Sequence, residues 1–257
     1  MSVSTNGGRA SRVRIAAAGD VHADEARRGD LEIAFRDVAA DSDLIVLAGD
    51  LTTHGRTPEA ALLADCCRDL PVPVFAVLGN HDWHAGCQDE IRAVLADAGV
   101  NVLERGWATH EVRGTTVGIV GTKGFVGGFE PGSHLPDFGE PPLRALYAET
   151  TAEVEALDAG LRAVAHCAVR VVVLHYSPSL ETIEGERPEI WSQLGTDRLA
   201  GPIAEHRPDL VVHGHAHAGR FEGSIDDVPV YNVAVPVLGR DFWTFELAPA
   251  GAVYGPV

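Results

Sequence analysis

The chain has 257 residues, 46% of them hydrophobic and 22% charged, which excludes a fibrous or disordered protein and suffices for a sizeable buried core. Asp and Glu number 37 against 20 Lys and Arg, giving a formal charge of −17, a field that repels polyanions and argues against tight nucleic-acid binding. No apolar run approaches membrane-spanning length, and the four cysteines (Cys66, Cys67, Cys87, Cys167) lack any paired-knuckle spacing, so they read as free thiols of a cytoplasmic protein.

Residues 1–12, rich in Ser, Gly and Arg and without a signal-peptide apolar region, read as a flexible leader before a single domain over 13–257. Val13–Ala18 is a short apolar run of strand type and leads into Gly19-Asp20-Val21-His22. Leu31, Ala34, Phe35 and Val38 then repeat at helical spacing, and a second strand, Leu44–Ala48, leads into Gly49-Asp50. Thr57-Pro58-Glu59 predicts a helix start with Thr57 as cap and proline at the first helical position. A third strand, Val72–Leu78, leads into Gly79-Asn80-His81-Asp82, and Ile91, Val94, Leu95 and Ala98 form a helical face closed by Gly99.

Beyond a further strand ending at Leu103, Trp107–Val112 and Thr115–Val120 flank Arg113-Gly114 as a hairpin. A Gly- and Pro-rich loop over 121–142 precedes a long amphipathic helix over about 143–165. Val171–Leu174 is the fourth strand leading into a ligand-type residue, here His175. A long loop and a helix interrupted at Gly201-Pro202 follow. The fifth such strand, Leu210–Val212, runs into His213-Gly214-His215-Ala216-His217, and short strands continue through Leu247. Without internal repeats or a linker, one α/β domain with sheets covered by helices is the expected architecture.

All five apolar runs therefore end in side chains that bind metals. Functional groups collect at strand ends because the sheet is rigid and the loops are open. Strand alternation would let Asp20 with His22, and His215 with His217, each converge on a common centre. Imidazole and carboxylate together suit Mn, Fe, Zn or Ni rather than an all-oxygen or all-thiolate shell. Taken singly, an Asp after a strand is a cap or turn former and a lone His is structural; five in order are difficult to ascribe to coincidence.

The succession Gly-Asp-x-His, Gly-Asp, Gly-Asn-His-Asp, a lone His and Gly-His-x-His resembles the full signature of the calcineurin-like metallophosphoesterase superfamily, over Asp20 to His217. The stretches Gly49–Gly55 and Leu174–Pro178 look closest to small bacterial phosphoesterases related to cyclic-nucleotide phosphodiesterases. The resemblance implies a four-layer αββα sandwich, two mixed β-sheets flanked by helices, with a binuclear metal site at the strand ends. It implies that Asp20, His22 and His217 bind one ion and Asn80, His175 and His215 the other, with Asp50 bridging. His81 would contact the phosphate and assist the leaving group, and Asp82 would orient His81. The implied activity is hydrolysis of a small phosphorylated substrate by a hydroxide held between the metals, with phosphodiesterase activity the first choice. Phosphomonoesterase, nucleotide pyrophosphatase and a catalytically inert binding module are the alternatives; the complete ligand set speaks against the last.

Other residues sit near these motifs. His213 is one strand period before His215 and reads as a structural histidine, while His54 and His84 are candidates for the pocket rim. Gly121-Thr122-Lys123-Gly124 fails the spacing of a phosphate loop and reads as a turn with a rim lysine.

Overall fold

Apolar runs become central strands when both of their faces are covered, and that is the case here. The computed structural model describes residues 12–137 and 139–249 and the backbone of 252–254. Apart from Arg12, the leader expected over 1–12 lies outside the described residues. β1 (Val13–Ala18), β2 (Leu44–Ala48), β3 (Val74–Val77) and β4 (Val100–Val102) lie parallel and in that order. Between them run α1 (Arg28–Asp41), α2 (Thr57–Cys67) and α3 (Gln88–Asp97). Thr57 is the first helical residue rather than the cap, and Glu59 accepts hydrogen bonds from the backbone N–H of His54 (2.8 Å) and Arg56 (3.3 Å) at this helix start.

The second sheet opens with a hairpin, β5 (Gly106–Val112) and β6 (Thr115–Gly121), whose turn residues Arg113 and Gly114 both have positive φ (48° and 82°), as a two-residue turn of the I′ type requires. α4 (Pro141–Ala163) crosses to β7 (Val169–Val173). The long loop holds the single-turn helices α5 (Leu180–Ile183) and α6 (Trp191–Leu194) and leads to α7 (Ala200–His206) and β8 (Leu210–His213). Gly201-Pro202 does not interrupt a helix: it lies in the first turn of α7, where proline's missing N–H costs nothing. β9 (Glu222–Ile225) and β10 (Val228–Asn232) complete this sheet in the order β5-β6-β7-β8-β10-β9. After the single turn α8 (Val235–Leu238), β11 (Trp243–Ala248) and β12 (Ala252–Tyr254) extend the first sheet: β11 pairs antiparallel with β1 and β12 with β11, so both sheets are mixed.

Alternation along each strand sorts the core into layers. Val13, Ile15, Ala17, Leu44, Val46 and Phe75 meet Val117, Ile119, Val171, Val173, Leu210 and Val212 between the sheets. The opposite faces pack against α1–α3 on one side and α4 with α7 on the other. The result is a four-layer sandwich of two sheets flanked by helices. Its strands β1, β2, β3, β7 and β8 all end at one edge, where the candidate residues lie.

Candidate metal centre

The loops at this edge are shaped by left-handed backbone. Asp20, His22, Asp50 and His215 have φ of 56°, 47°, 49° and 70°. Strand alternation therefore does not aim these side chains, contrary to the sequence reading; single residues in the αL region do. The loops brace one another through backbone hydrogen bonds: Asp20 N–H to the Gly49 carbonyl (3.0 Å), His22 N–H to Asp50 (3.0 Å) and Gly214 N–H to His175 (3.2 Å). Glycine is required where they meet. A Cβ on Gly79 would lie 2.2 Å from Asp50 N and Oδ1, and one on Gly214 would lie 2.3 Å from Asp20 Oδ2.

Three overlapping groups of donor atoms result: Asp20 with His22 and His217, His22 with Asp50 and His81, and Asp50 with His175 and His215. Within each group the atoms lie within 4.8 Å of one another. His215 and His217, expected to converge on one centre, part company here, one on either side of Asp50. His217 Nε2 is 2.8 Å from Asp20 Oδ1, and His175 Nε2 is 3.3 Å from Asp50 Oδ1 and 2.8 Å from Asn80 Oδ1. A fourth group, Asp158 with Glu205 and His206, lies on α4 and α7, where Arg162 already pairs with Asp158.

Backbone carbonyls set the histidine tautomers. His22 Nδ1 faces the Thr52 carbonyl (3.3 Å), His81 Nδ1 that of Thr53 (2.8 Å) and His175 Nδ1 that of Ala48 (3.0 Å). A carbonyl only accepts, so each Nδ1 carries a proton and Nε2 is the ring atom left for the cluster. Those three Nε2 atoms all turn toward Asp50, at 3.8, 3.8 and 3.3 Å. His175 Nε2 thus lies against Asn80 Oδ1 and Asp50 Oδ1, three atoms of the kind that ligate a metal ion, gathered at one point. This donor set of imidazole, carboxylate and one amide oxygen, in which Asp20, Asp50 and His175 are buried, fits transition-metal ions.

Charge in the site follows burial and pairing. Burial pushes the Asp20 carboxyl up, but the hydrogen bond from His217, the charges of His175 and His217 and the His215 backbone N–H outweigh it and leave Asp20 below the usual range. Burial pulls His215 down to about 3, with His175 adding to the effect, and pulls His22 down despite Asp50 and Asp20. His217 is raised by its hydrogen bond with Asp20. Burial likewise lowers His213 to about 4.

Several neighbours differ from the sequence reading. Asp82 does not orient His81: its carboxylate accepts from Leu51 N (3.1 Å), Thr52 N (2.8 Å), Thr52 Oγ1 (2.6 Å) and Gly79 N (2.8 Å), clamping two loops together. His213 is structural, its ring between the Gly214 carbonyl (2.8 Å) and Thr182 Oγ1 (2.7 Å). His54 pairs with Glu59 away from the cluster, whereas His84 stacks on His81 with ring centroids 4.4 Å apart. Lys123 is not at the rim; it is 7% exposed beneath the rings of Phe125 and Tyr176. Burial lowers its ammonium, with Glu153, Glu149 and Glu104 pulling the other way. Beside Asn80 opens a pocket of about 320 Å³ lined also by Trp83, Lys123, Phe125, Glu149 and Tyr176. No motif marked it, although Trp83 follows the third motif directly.

A family model described as calcineurin-like phosphoesterase matches residues 13–219. No curated protein sequence matches. Among solved structures, the phosphopantetheinyl hydrolase from Mycobacterium tuberculosis is similar with a TM-score of 0.67 and 19% identity, over 96% of this chain and 100% of that one. A protein from Thermus thermophilus gives 0.60 and 17%, over 96% and 99%. A putative 5′-nucleotidase from Staphylococcus aureus gives 0.62 and 16%, over 96% of this chain and 53% of that one. At these identities the likeness is one of fold.

Proposed function

We propose, from the premise that the chain belongs to the calcineurin-like phosphoesterase family, that it hydrolyses phosphodiesters of small or nucleotide-like compounds with the help of two transition-metal ions. The observation that carries this reading is the gathering of three overlapping groups of metal-type donor atoms, two of which share one buried carboxylate, Asp50. Asp20, His22 and His217 would hold one ion, Asn80, His175 and His215 the other, and Asp50 would touch both. Bound there, such ions supply the positive charge that a phosphate needs on a chain of charge −17 and make water nucleophilic at neutral pH.

The chain's own residues account for the rest. With Nδ1 of His81 fixed by the Thr53 carbonyl, Nε2 is the ring atom that gains and loses a proton, and it faces the cluster. Protonated, it can give that proton to a departing oxygen. The buried carboxylates of Asp20 and Asp50 and the carbonyls behind His22 and His175 fix the donor atoms before substrate arrives, which removes reorganisation from the reaction. The adjoining pocket gives an organic substituent of the ester somewhere to lie, which favours a diester over a bare monoester.

Chelation and dialysis should abolish hydrolysis of an aryl phosphodiester, and added Mn should restore it, with elemental analysis following the metal throughout. Full activity in protein shown to be metal-free sinks the two-ion reading. An aryl monoester turned over faster than the diester reassigns the chain to the phosphomonoesterases.

A further inference from the structure

The pocket beside Asn80 holds more chemistry than phosphate hydrolysis uses. Lys123 Nζ has three protons to donate, yet among the described residues it makes one hydrogen bond, to the Gly124 carbonyl at 3.1 Å. Two ring faces lie over it, Phe125 with Nζ 4.2 Å from the centroid and Tyr176 at 5.2 Å, and the carboxylates of Glu153, Glu149 and Glu104 are near enough to act on its charge. Glu153, the buried carboxylate of this region, accepts instead from Thr122 Oγ1, Gly124 N and Arg105 Nε. A buried ammonium with donors to spare thus faces the pocket. Glu149, held by Arg105, presents an acceptor to the same space. Trp83 forms a third aromatic wall and, at 41% exposed, leaves much of its ring open to the solvent.

This pocket is continuous with the candidate centre. Asn80 lines it and also lies 2.8 Å from His175 Nε2, and the Tyr176 ring stacks 4.5 Å from that of His215. We infer that the pocket binds the nucleobase of a nucleoside phosphoester, with the aromatic side chains against its faces, Lys123 donating to a base carbonyl or ring nitrogen and Glu149 accepting from a base N–H. The inference rests on the hydrolytic reading above and names the substrate class for it. An alkyl chain would leave the spare donors of Lys123 and the Glu149 carboxylate unsatisfied. A second anionic group would meet Glu149 and the negative faces of the rings. A plain phenyl ring would use the walls only. A flat heterocycle with a donor and an acceptor on one edge uses all of them.

The test compares thymidine 5′-(4-nitrophenyl) phosphate with methyl 4-nitrophenyl phosphate, which share a leaving group, on the full-length Mn-loaded protein. The wild type should favour the nucleoside ester in kcat/KM by about tenfold or more, since one base–aromatic stack alone is worth on the order of tenfold. Trp83→Ala, at an exposed position that carries no core packing, should cut that preference about tenfold. Lys123→Met should cut it comparably, and Lys123→Arg should keep part of it because it keeps the charge and donors. If these variants lower both rates in parallel and the ratio stays put, the residues shape the metal centre and the inference is overturned. A second arm needs no turnover: calorimetry of thymidine 5′-monophosphate against deoxyribose 5-phosphate on protein as purified. Tighter nucleotide binding that disappears in Trp83→Ala supports the pocket even if no ester is hydrolysed, in which case the hydrolytic reading alone has failed. Equal affinity for the two ligands overturns the inference whatever the hydrolysis shows.

Discussion

A single carbonyl oxygen decides what His81 can do. Because Thr53 O accepts from Nδ1, the imidazole can only exchange protons with the cluster through Nε2. On the two-ion proposal, His81→Ala should therefore leave metal content unchanged and lose rate by about 10²–10⁴-fold, the usual worth of general-acid assistance. The loss should be smaller for a nitrophenolate leaving group, which needs little protonation, than for an alkyl or nucleoside one. Rates for both ester types, with metal content, decide the matter: an equal deficit means that His81 positions the phosphate, and a fall in metal content means that it belongs among the ligands. This residue also shows how far the sequence could be read. The Gly-Asn-His-Asp motif located His81 and Asp82 correctly at the end of β3, but it suggested Asp82 as the partner of His81. The actual partner is a backbone atom, which no side-chain pattern records, and Asp82 instead satisfies four donors of two loops.

At the scale of elements, strands were legible where burial on both faces left only apolar, β-branched residues: β1 and β2 occupy the full runs 13–18 and 44–48. β3 is shorter than its apolar run at both ends: Pro73 has no N–H to give the ladder, and the Leu78 N–H turns to the Glu104 carboxylate at 3.4 Å. The turns that follow were less legible. Positive φ is uncommon for any residue but glycine, even for Asp and His, which adopt it more often than most, so nothing in Gly-Asp-x-His announces that Asp20 and His22 both do. What the motifs did announce was glycine, and its reason is space. In Gly79→Ala the new methyl would sit 2.2 Å from Asp50 Oδ1 and 2.8 Å from His175 Cε1, so the β2 and β3 loops must separate. The expected outcome is a loss of stability of about 1–3 kcal/mol together with reduced metal content. Gly29→Ala, on exposed α1 with nothing within 4 Å of the added carbon, should instead stabilise by about 0.4–1 kcal/mol. Urea unfolding and elemental analysis of both variants provide the check. Unaltered metal binding in Gly79→Ala would falsify the crowding argument.

For the whole molecule, one buried histidine at the end of β8 bears on the response to acid. His213 ends β8 with its ring fully buried, and burial brings its pKa to about 4 against an ordinary 6.5. A histidine depressed in the folded state adds stability above its unfolded pKa and loses it as the pH falls toward the folded value. The metal-free protein should therefore weaken between about pH 6.5 and 4, with His213 contributing about 3 kcal/mol at most. His213→Gln should be less stable near neutral pH yet show a shallower fall; urea midpoints across that window that run parallel to wild type would remove His213 as the source. The seam between the two sheets has a mechanical side. Asp20, Asp50 and Asn80 stand on loops of one sheet, and His175, His215 and His217 on loops of the other. Neither plate of the sandwich carries a full donor set, so an ion bound there acts as a bolt through both, and the plates cannot part without letting it go. Unfolding would then be coupled to dissociation, and the half-life of the chain against a protease would follow the metal supply of its surroundings.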